Sequence, residues 1–396
     1  MVSRRPPPRA AALVAALALA LAAAPRSAQA ETSGLHGRVI DARGRPLPGV
    51  DLTLRPTRGG SARAVTDALG EYRFVGQRPG ITCALEAASD GYRAVIYEGI
   101  RLEGGRVRTF DVRLKRPGDR DVVFLLSRDP YPFDELLRSL LETLEAPVRT
   151  LDLDTLADPE EAVRQVRAER PNLILGTGLK TARIVRREIR EIPAILTLLG
   201  DPRRYDLEAE NLSYVAVNPT PEDLVARIRA FLPDAHRLGL LYDARASARV
   251  ARDLAHAAKK AGLEVVLRPC YAVHGLDAAL ATLDGQIDVL AVPFDPVSMD
   301  PEAVDAVTRW ALTHRVPLAA PAPDWVRRGA LFSYGATSET IGRAVSSLAM
   351  QILGAPPSPG ETGPRAPAAA FLAFNQTTAL ALGVDVPAGL TVDATY

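Results

Sequence analysis

The sequence predicts an α/β protein with parallel, doubly wound sheets, preceded by a small all-β sandwich. From Asp121 to the C-terminus, a short apolar run followed by an amphipathic helix recurs about ten times. This alternation of buried strands and crossover helices is typical of parallel sheets. Between Gly34 and Lys115, apolar and polar residues alternate between frequent turns, which indicates short antiparallel strands. A chain of 396 residues is long enough for more than one domain.

The first α/β unit shows how the pattern predicts its elements. Val122 to Leu126 form a continuous apolar run, and Leu136 and Leu140 then mark one face of a helix. A later helix, predicted over residues 337–353, has Gly354 as its end signal. Sheets of this kind bind ligands at the carboxyl ends of their strands. We therefore expect the function in the loops that follow the strands.

The N-terminus has the pattern of an export signal. Three arginines precede an alanine-rich apolar run over residues 10–24, and Ala28-Gln29-Ala30 follows as a small-x-small cleavage site. A membrane anchor is the alternative, but the run is shorter than the roughly 20 residues that a bilayer span requires. The sequence therefore predicts a signal peptide over residues 1–30 and secretion into the periplasm.

Charge and cysteine content exclude several classes of protein. Removal of residues 1–30 takes away four arginines and leaves 44 basic against 47 acidic residues, a net charge of −3. Nothing in this balance indicates a nucleic-acid partner. Cys83 and Cys270 fall in different predicted domains, so we expect two isolated, buried thiols rather than a disulfide framework.

The β-rich region carries specific turn motifs. They are Gly37-Arg-Val-Ile-Asp-Ala-Arg-Gly44, Pro46-Leu-Pro-Gly-Val50, Thr66-Asp-Ala-Leu-Gly-Glu-Tyr-Arg-Phe74, Pro79-Gly80 and Gly91-Tyr92. Residues 34–116 thereby resemble the carboxypeptidase regulatory-like (transthyretin-like) domain family. The resemblance implies a module for interaction or spacing without catalysis; a merely structural cap on the next domain is the alternative. Lys115 to Asp119 read as a short linker.

The remainder of the chain carries a second ordered set of motifs. They include Gly176-Thr-Gly-Leu-Lys-Thr-Ala182, Leu199-Gly-Asp-Pro202, Leu238-Gly-Leu-Leu-Tyr-Asp243, Ala291-Val-Pro-Phe-Asp295 and Phe374-Asn-Gln-Thr-Thr-Ala-Leu-Ala-Leu-Gly-Val384. Residues 120–396 thereby resemble the ABC-transporter substrate-binding protein family, a branch of the type I periplasmic binding proteins whose best-known members bind aromatic amino acids. The resemblance implies two lobes that close on a small ligand. We expect lobe 1 at about 120–217 and 337–355, and lobe 2 at about 218–336 and 369–396.

Candidate ligand-binding residues in lobe 1 follow the predicted strands. Thr177 and Gly178 end a strand and begin a helix, so free N–H groups and a hydroxyl offer a seat for a carboxylate. Helix capping by Thr177 is the alternative. Ser127 and Thr197 also end strands. Asp201 begins Asp201-Pro-Arg-Arg204, where family members commonly have a small apolar residue after Asp-Pro; the two arginines either favour an acidic ligand or are solvated surface.

Candidates in lobe 2 are two carboxylates and three aromatic rings. Asp243 and Asp295 would neutralise the ammonium of an amino acid, whereas a turn or helix N-cap is the structural alternative for each. Tyr242, Phe294 and Tyr334 would stack on an apolar or aromatic ligand, and core packing is their alternative. Family members usually have Tyr-Asn where this chain has Tyr242-Asp243.

No motif for catalysis or for a cofactor is present. The five histidines lack metal-ligand spacing, and the sequence contains no Gly-x-Ser-x-Gly elbow and no phosphate-binding glycine loop. We therefore predict no enzyme activity, no metal and no cofactor. The predicted function is that of a periplasmic solute-binding protein of an ABC importer, with a small ligand and an ABC permease as partners. The alternative is a ligand-sensing or scaffold protein that signals to a membrane receptor through the sandwich. Residues 355–370, rich in Pro and Gly, are expected to form a surface loop.

Overall fold

The described residues form two compact units, which are divided between Pro117 and Gly118, and each is described by itself below. The computed structural model describes residues 33–127, 133–156, 158–199, 207, 209–271, 275–354, 364–365, 370–387 and 389–396. The predicted signal peptide and Asp201 lie outside the described residues. Within them, no helix is both long and apolar enough to cross a membrane.

The N-terminal unit consists of two small sheets that face each other across an apolar core. Its strands are β1 (Ser33–Ile40), β2 (Asp51–Pro56), β3 (Ala62–Val65), β4 (Glu71–Gln77), β5 (Thr82–Ala88), β6 (Val95–Arg101), β7 (Val107–Thr109) and β8 (Val112–Arg113). One sheet has the order β4-β1-β7 with β8 also paired to β1, and the other has the order β3-β2-β5-β6. Alternate residues of β2 and β5, such as Leu52, Leu54 and Leu85, are buried between the sheets.

Two Asp-Gly turns fix the connections of this sandwich. The Asp67 carboxylate accepts hydrogen bonds from the backbone N–H groups of Leu69 and Glu71, and Asp41 holds its own turn in the same way. Gly70 closes the turn at φ +73°, where a Cβ would lie 2.8 Å from the carbonyl oxygen of Val39. Glycine is therefore required at this corner by backbone conformation and by space.

The C-terminal unit contains two open α/β sheets. Its strands are β9 (Val122–Leu126), β10 (Val148–Asp152), β11 (Leu173–Thr177), β12 (Ala194–Thr197), β13 (Leu212–Val215), β14 (Arg237–Asp243), β15 (Glu264–Cys270), β16 (Val289–Ala291), β17 (Leu318–Ala320), β18 (Phe332–Gly335), β19 (Pro364–Arg365), β20 (Phe371–Phe374) and β21 (Ala394–Thr395). Its described helices are α1 (Phe133–Thr143), α2 (Pro159–Glu169), α3 (Gly178–Glu188), α4 (Pro221–Phe231), α5 (Ala248–Lys260), α6 (Leu276–Ala281), α7 (Pro301–Thr313), α8 (Pro323–Arg327), α9 (Ser338–Gly354) and α10 (Gln376–Leu382).

Each sheet is covered by helices on both faces and defines one lobe. The first sheet has the order β10-β9-β11-β12-β13-β19, with α1 and α9 on one face and α2 and α3 on the other. The second sheet has the order β15-β14-β16-β17-β18-β20-β21, between α4 and α5 on one face and α6, α7 and α8 on the other. We call the two layered bodies the first and the second lobe. Helix α9 follows the second lobe's β18 in sequence but packs in the first lobe's core.

Helices α1 and α9 approach each other closely because small residues line their contact. A Cβ on Gly342 would lie 2.7 Å from the Cβ of Ser139. One turn further on, the hydroxyl groups of Thr143 and Ser346 lie 2.7 Å apart and form a hydrogen bond. This contact fixes the chain segment that returns to the first lobe.

The sequence patterns predict most of this architecture. In the sandwich, β3, β6 and β7 were not predicted, and in the C-terminal unit β21 was not predicted. Strand β10 was not predicted, because it is a half-exposed edge strand without a continuous apolar run. Strand β20 runs antiparallel to β18, so the second sheet is mixed rather than wholly parallel. Within the expected loop 355–370, Pro364 and Arg365 form the short strand β19 beside β13; residues 355–363 and 366–369 lie outside the described residues. Cys83 and Cys270 are free, buried thiols, which confirms the prediction.

Candidate functional site

The carboxyl end of β11 presents a buried hydroxyl beside a helix N-terminus. Thr177 ends the strand in an extended conformation, and Gly178 begins α3 at φ +77°. The Thr177 side chain makes no capping hydrogen bond, so the capping alternative is not realised. Its Oγ1 is fully buried and has no hydrogen-bond partner among the described residues. The first N–H groups of a helix also lack partners within the helix. The hydroxyl of Thr177 therefore lies beside several backbone donors at the positive end of the helix dipole.

Ser127, at the end of β9, joins a polar cluster near the same sheet edge. Its hydroxyl lies 3.4 Å from Oδ2 of Asp154, and the other oxygen of Asp154 accepts a hydrogen bond from the Lys180 ammonium. Lys180 lies in the first turn of α3 and also donates to the carbonyl oxygen of Leu153. The cluster therefore brings a cation to the helix turn that begins after Thr177.

Thr197 lies next to Thr177 on the neighbouring strand. The two residues are paired in register between β11 and β12, so both side chains project from the same face of the first sheet. The Thr197 hydroxyl donates a 3.0 Å hydrogen bond to the carbonyl oxygen of Val215. Leu198 follows in the left-handed region at φ +56°, which turns the chain sharply away from the strand. The proton of the Thr197 hydroxyl is thus already used, whereas that of Thr177 is not.

Asp243 and Asp295 are brought together at the carboxyl ends of β14 and β16. The backbone N–H of Asp243 donates to Oδ2 of Asp295 at 2.8 Å. Oδ1 of Asp295 accepts from the N–H groups of Val297 and Ser298, at 2.9 and 3.1 Å. Asp295 therefore fastens the two loops to each other, which is the structural role that the sequence left open.

Burial makes the Asp295 carboxyl group a weaker acid than an ordinary aspartate. Loss of water contact raises its pKa to about 6, against an opposing effect of the backbone N–H groups that favour the charged form. The Asp243 carboxylate uses fewer of its oxygen atoms in hydrogen bonds to the backbone. Its Oδ1 accepts from the N–H groups of Arg245 and Ala246, and neither of these two bonds uses Oδ2. Of the two carboxylates, Asp243 retains the greater capacity to bind a ligand cation.

The loop after β16 also connects the two lobes. The N–H of Phe294 donates to Oδ1 of Asn218 at 3.0 Å, and the Phe294 ring packs against the apolar core of the first lobe. Asn218 follows β13 on the path from the first sheet to the second. On the other side of the same loop, the indole N–H of Trp325 donates to the carbonyl oxygen of Ser298 at 3.3 Å. This loop is a structural contact between the lobes.

The two tyrosines are placed differently from the carboxylates. Tyr334 packs against the core that β18 shares with α4, and the Arg227 guanidinium lies 5.2 Å from its ring centroid. Tyr242 is buried at the end of β14, and burial raises the pKa of its phenol. Both rings take part in packing, which was the structural alternative in the sequence.

Sequence reasoning missed four polar residues of these loops, namely Asp154, Lys180, Asn218 and Ser298. Lys180 lies within the motif Gly176-Thr-Gly-Leu-Lys-Thr-Ala182. Its position in the first turn of the helix after Thr177 could have indicated a cation beside the predicted site. Asn218 and the Asp154 side chain acquire their partners through tertiary contacts, whereas Ser298 bonds mainly to Asp295, three residues before it. Among the described residues, no group of three or more histidine, cysteine, aspartate or glutamate side chains is placed to hold a metal ion.

Comparison with solved structures defines the class of fold. A domain from Streptococcus pneumonia in complex with L-Trp aligns over 70% of this chain and 100% of its own, with a TM-score of 0.54 and 18% identity. The ligand-free, open structure of a substrate-binding protein with adhesive properties from Clostridium difficile aligns over 70% and 98%, with a TM-score of 0.56 and 19% identity. A conserved domain protein from Vibrio cholerae gives a TM-score of 0.55 at 21% identity. The body has the two-lobed fold of a type I periplasmic binding protein.

Sequence comparison then identifies the family. Residues 152–396 match the family described as ABC transporter substrate binding protein, and residues 34–115 match the carboxypeptidase regulatory-like domain. The chain belongs to the ABC transporter substrate binding protein family, and both resemblances seen in the sequence are confirmed. It is accordingly a substrate-binding protein and not an enzyme. A curated relative, a tyrosine-binding protein of Clostridioides difficile, is 25% identical over 198 residues, which are 47% of this chain and 56% of that protein.

Proposed function

We propose that the body binds a small solute with a carboxylate group between its two lobes, and that an amino acid is the ligand class. The observation that carries the proposal is the Thr177 hydroxyl, which is fully buried, lies at the N-terminus of α3 and has no hydrogen-bond partner in the part of the chain that the structure describes. A ligand carboxylate would accept hydrogen bonds from this hydroxyl and from the first N–H groups of the helix. The names of two similar proteins, one tyrosine-binding and one solved with L-Trp, support an amino acid.

The second lobe offers a complementary charge for the ligand ammonium. Oδ2 of Asp243 lies at the carboxyl end of a central strand, and Asp295 holds the backbone of that residue in place. In this proposal Asp243 contacts the ligand and Asp295 positions Asp243. Ser127, Thr197, Tyr242, Phe294 and Tyr334 border the same loops, and Gly178 allows close approach to the helix. Asp201 belongs to the proposed site on sequence grounds alone.

We further propose that the protein works in the periplasm and delivers its ligand to the permease of an ABC importer. The predicted signal peptide and the family support this role. The proposed organisation is a signal peptide at 1–30, the sandwich at 34–116 and the two-lobed body at 120–396. Lobe closure on the ligand would produce the form that a permease recognises.

A thermal-unfolding screen of the mature chain tests the ligand class. The panel contains the common amino acids and small mono- and dicarboxylates. A ligand at about one hundred times its dissociation constant stabilises the folded protein by about 2.7 kcal/mol, which raises the unfolding temperature by several degrees. The proposal expects at least one amino acid to do so. A panel in which no compound shifts the transition would contradict it.

A second candidate function is supported by the N-terminal sandwich. An importer does not require such a module, whereas a sensor or scaffold would use it to contact a membrane receptor. The genes beside this one distinguish the two roles: a permease and an ATPase support import, and a histidine kinase or an outer-membrane receptor supports sensing.

A further inference from the structure

The two units of the protein carry opposite net charges. Residues 33–117 contain 14 arginines and one lysine against nine acidic residues, a net charge of +6. Residues 118–396 contain 29 basic and 37 acidic residues, a net charge of −8. Arginine retains its charge at every physiological pH, so the sandwich is a permanently cationic module. The near-neutral total charge of the chain conceals this difference.

The sandwich gathers part of this charge at one end, which we call the basic end. The end is formed by the start of β1 and by the loops 57–61, 78–81 and 102–106. Backbone hydrogen bonds connect these segments: Thr57 N–H to Thr82 O at 2.9 Å, Gly80 N–H to Leu102 O at 2.7 Å, and Gly34 N–H to Arg106 O at 3.1 Å. Four arginines lie on these loops or directly beside them: Arg58, Arg78, Arg101 and Arg106.

The four arginines are exposed and carry uncompensated charge. None of them forms an ion pair with a described residue, in contrast to Arg38, Arg45 and Arg55 elsewhere in the sandwich. Glu103 is the one acidic residue in the same loops. Arginines that remain without carboxylate partners keep their donor groups available for an external anion.

The opposite end of the sandwich provides the contrast. Its loops, residues 41–50, 66–70 and 89–94, carry three arginines and three aspartates. Two further basic residues lie beside the last of these loops: Lys115 is buried and pairs with Arg93 through the backbone, and the Arg116 guanidinium lies 5.1 Å from the Tyr92 ring centroid. One of these arginines, Arg45, is already paired with Asp41. Exposed apolar side chains occur towards both ends, for example Val75 near the basic end and Leu69 at the opposite one. The two ends therefore differ in how far carboxylates balance their basic residues: three aspartates lie in the loops of the opposite end, and one glutamate lies in those of the basic end.

We propose that the basic end binds the surface of a membrane that contains anionic phospholipids. Its arginines lie on separate loops, and a continuous sheet of phosphate headgroups reaches all of them at once, whereas a compact anionic ligand would need them to converge. Each basic residue near an anionic lipid surface adds to the attraction, which salt weakens. The sandwich would then hold the substrate-binding body close to a membrane. This inference does not depend on which solute the body binds.

Vesicle co-sedimentation of the mature chain tests the proposal. The probes are vesicles of equal parts phosphatidylglycerol and phosphatidylcholine, and vesicles of phosphatidylcholine alone. We expect binding to the anionic vesicles at low salt, weaker binding at higher salt and no binding to the neutral vesicles. The double variant Arg58→Glu/Arg78→Glu should reduce the partition coefficient by about thirty-fold or more.

The matched control is Arg43→Glu/Arg93→Glu at the opposite end, which changes the net charge of the chain by the same amount. This variant should retain most of the binding, and circular dichroism of both variants should match that of the unmodified protein. Absence of binding to anionic vesicles, or an equal loss in the two variants, would overturn the proposal. A third result would also overturn the proposal: the chain self-associates, Arg58→Glu/Arg78→Glu abolishes this self-association, and the unmodified chain does not bind vesicles. The partner of the basic end would then be the acidic body of a second copy.

Discussion

Replacement of Thr177 by valine separates the stability of the protein from its ability to bind a ligand. Oγ1 of Thr177 is fully buried, and no described residue forms a hydrogen bond with it. Such a group costs about 1–3 kcal/mol of stability, and a methyl group of similar shape removes this cost. Thr177→Val should therefore raise the free energy of unfolding of the unliganded protein by about 1 kcal/mol or more.

The same substitution should weaken ligand binding. A hydrogen bond from the hydroxyl to a ligand carboxylate contributes about 1.5–3 kcal/mol, so its loss should raise the dissociation constant by about ten- to a hundred-fold. Thr181→Val is the matched control, because Thr181 lies in the first turn of α3 and its buried hydroxyl also has no partner. That variant should gain stability without losing affinity.

Two assays on each variant decide the outcome. Urea denaturation followed by circular dichroism measures the free energy of unfolding, and isothermal titration with the ligand found in the thermal screen measures affinity. A lower stability of unliganded Thr177→Val would show that the hydroxyl has a hydrogen-bond partner and would contradict this prediction. The binding prediction is refuted if Thr177→Val and Thr181→Val bind the ligand with the same affinity as the unmodified chain.

Three further predictions concern other parts of the body. Gly342→Val should lower the free energy of unfolding by about 1–3 kcal/mol in urea denaturation, because its Cβ would lie 2.7 Å from that of Ser139. Adding Ser139→Gly to this variant should restore part of the lost stability. An unchanged denaturation midpoint in Gly342→Val would contradict the close contact between α1 and α9. Burial raises the pKa of Asp295 from 3.8 to about 6, so the folded state holds this proton more tightly than the unfolded state. The free energy of unfolding should then fall by up to about 3 kcal/mol as the pH rises from about 4 to above about 6, and Asp295→Asn should flatten this part of the plot of stability against pH. An unchanged slope in the variant would argue against a raised pKa of Asp295. Asp243→Asn should weaken the binding of an amino acid in titration calorimetry and leave its deaminated carboxylate analogue unaffected, whereas equal losses for both would exclude an ammonium contact.

The strands of the first sheet show what the sequence could predict. Three strands of this sheet are buried on both faces, at residues 122–126, 173–177 and 194–197. A continuous apolar run in the sequence predicts such a buried strand directly. β10 occupies an edge, where the half-buried Arg149 and the exposed Thr150 interrupt the pattern. The local signal is therefore strong for central strands and weak for edge strands.

The candidate site shows where sequence reasoning ends. The sequence placed Thr177 and Asp243 at the carboxyl ends of strands, but it left open whether each side chain serves the backbone or a ligand. Asp243 and Asp295 are 52 positions apart, and only the pairing of β14 with β16 brings them into contact. The sequence offered Tyr334 either as a ring that stacks on a ligand or as a core residue, and its contact with Arg227 on α4 could not be predicted because the two residues are far apart in sequence. These choices depend on tertiary contacts that periodicity does not encode.

Equilibrium dialysis of the mature chain against a mixture of amino acids and small carboxylates, with mass spectrometry of the retained compounds, tests whether the body has a carboxylate-binding site. We expect one amino acid to be retained at one molecule per chain, and we expect Thr177→Val to release it while Thr181→Val does not. Retention of no compound above the level of free diffusion, or retention that both variants leave intact, would contradict a carboxylate-binding site at the N-terminus of α3.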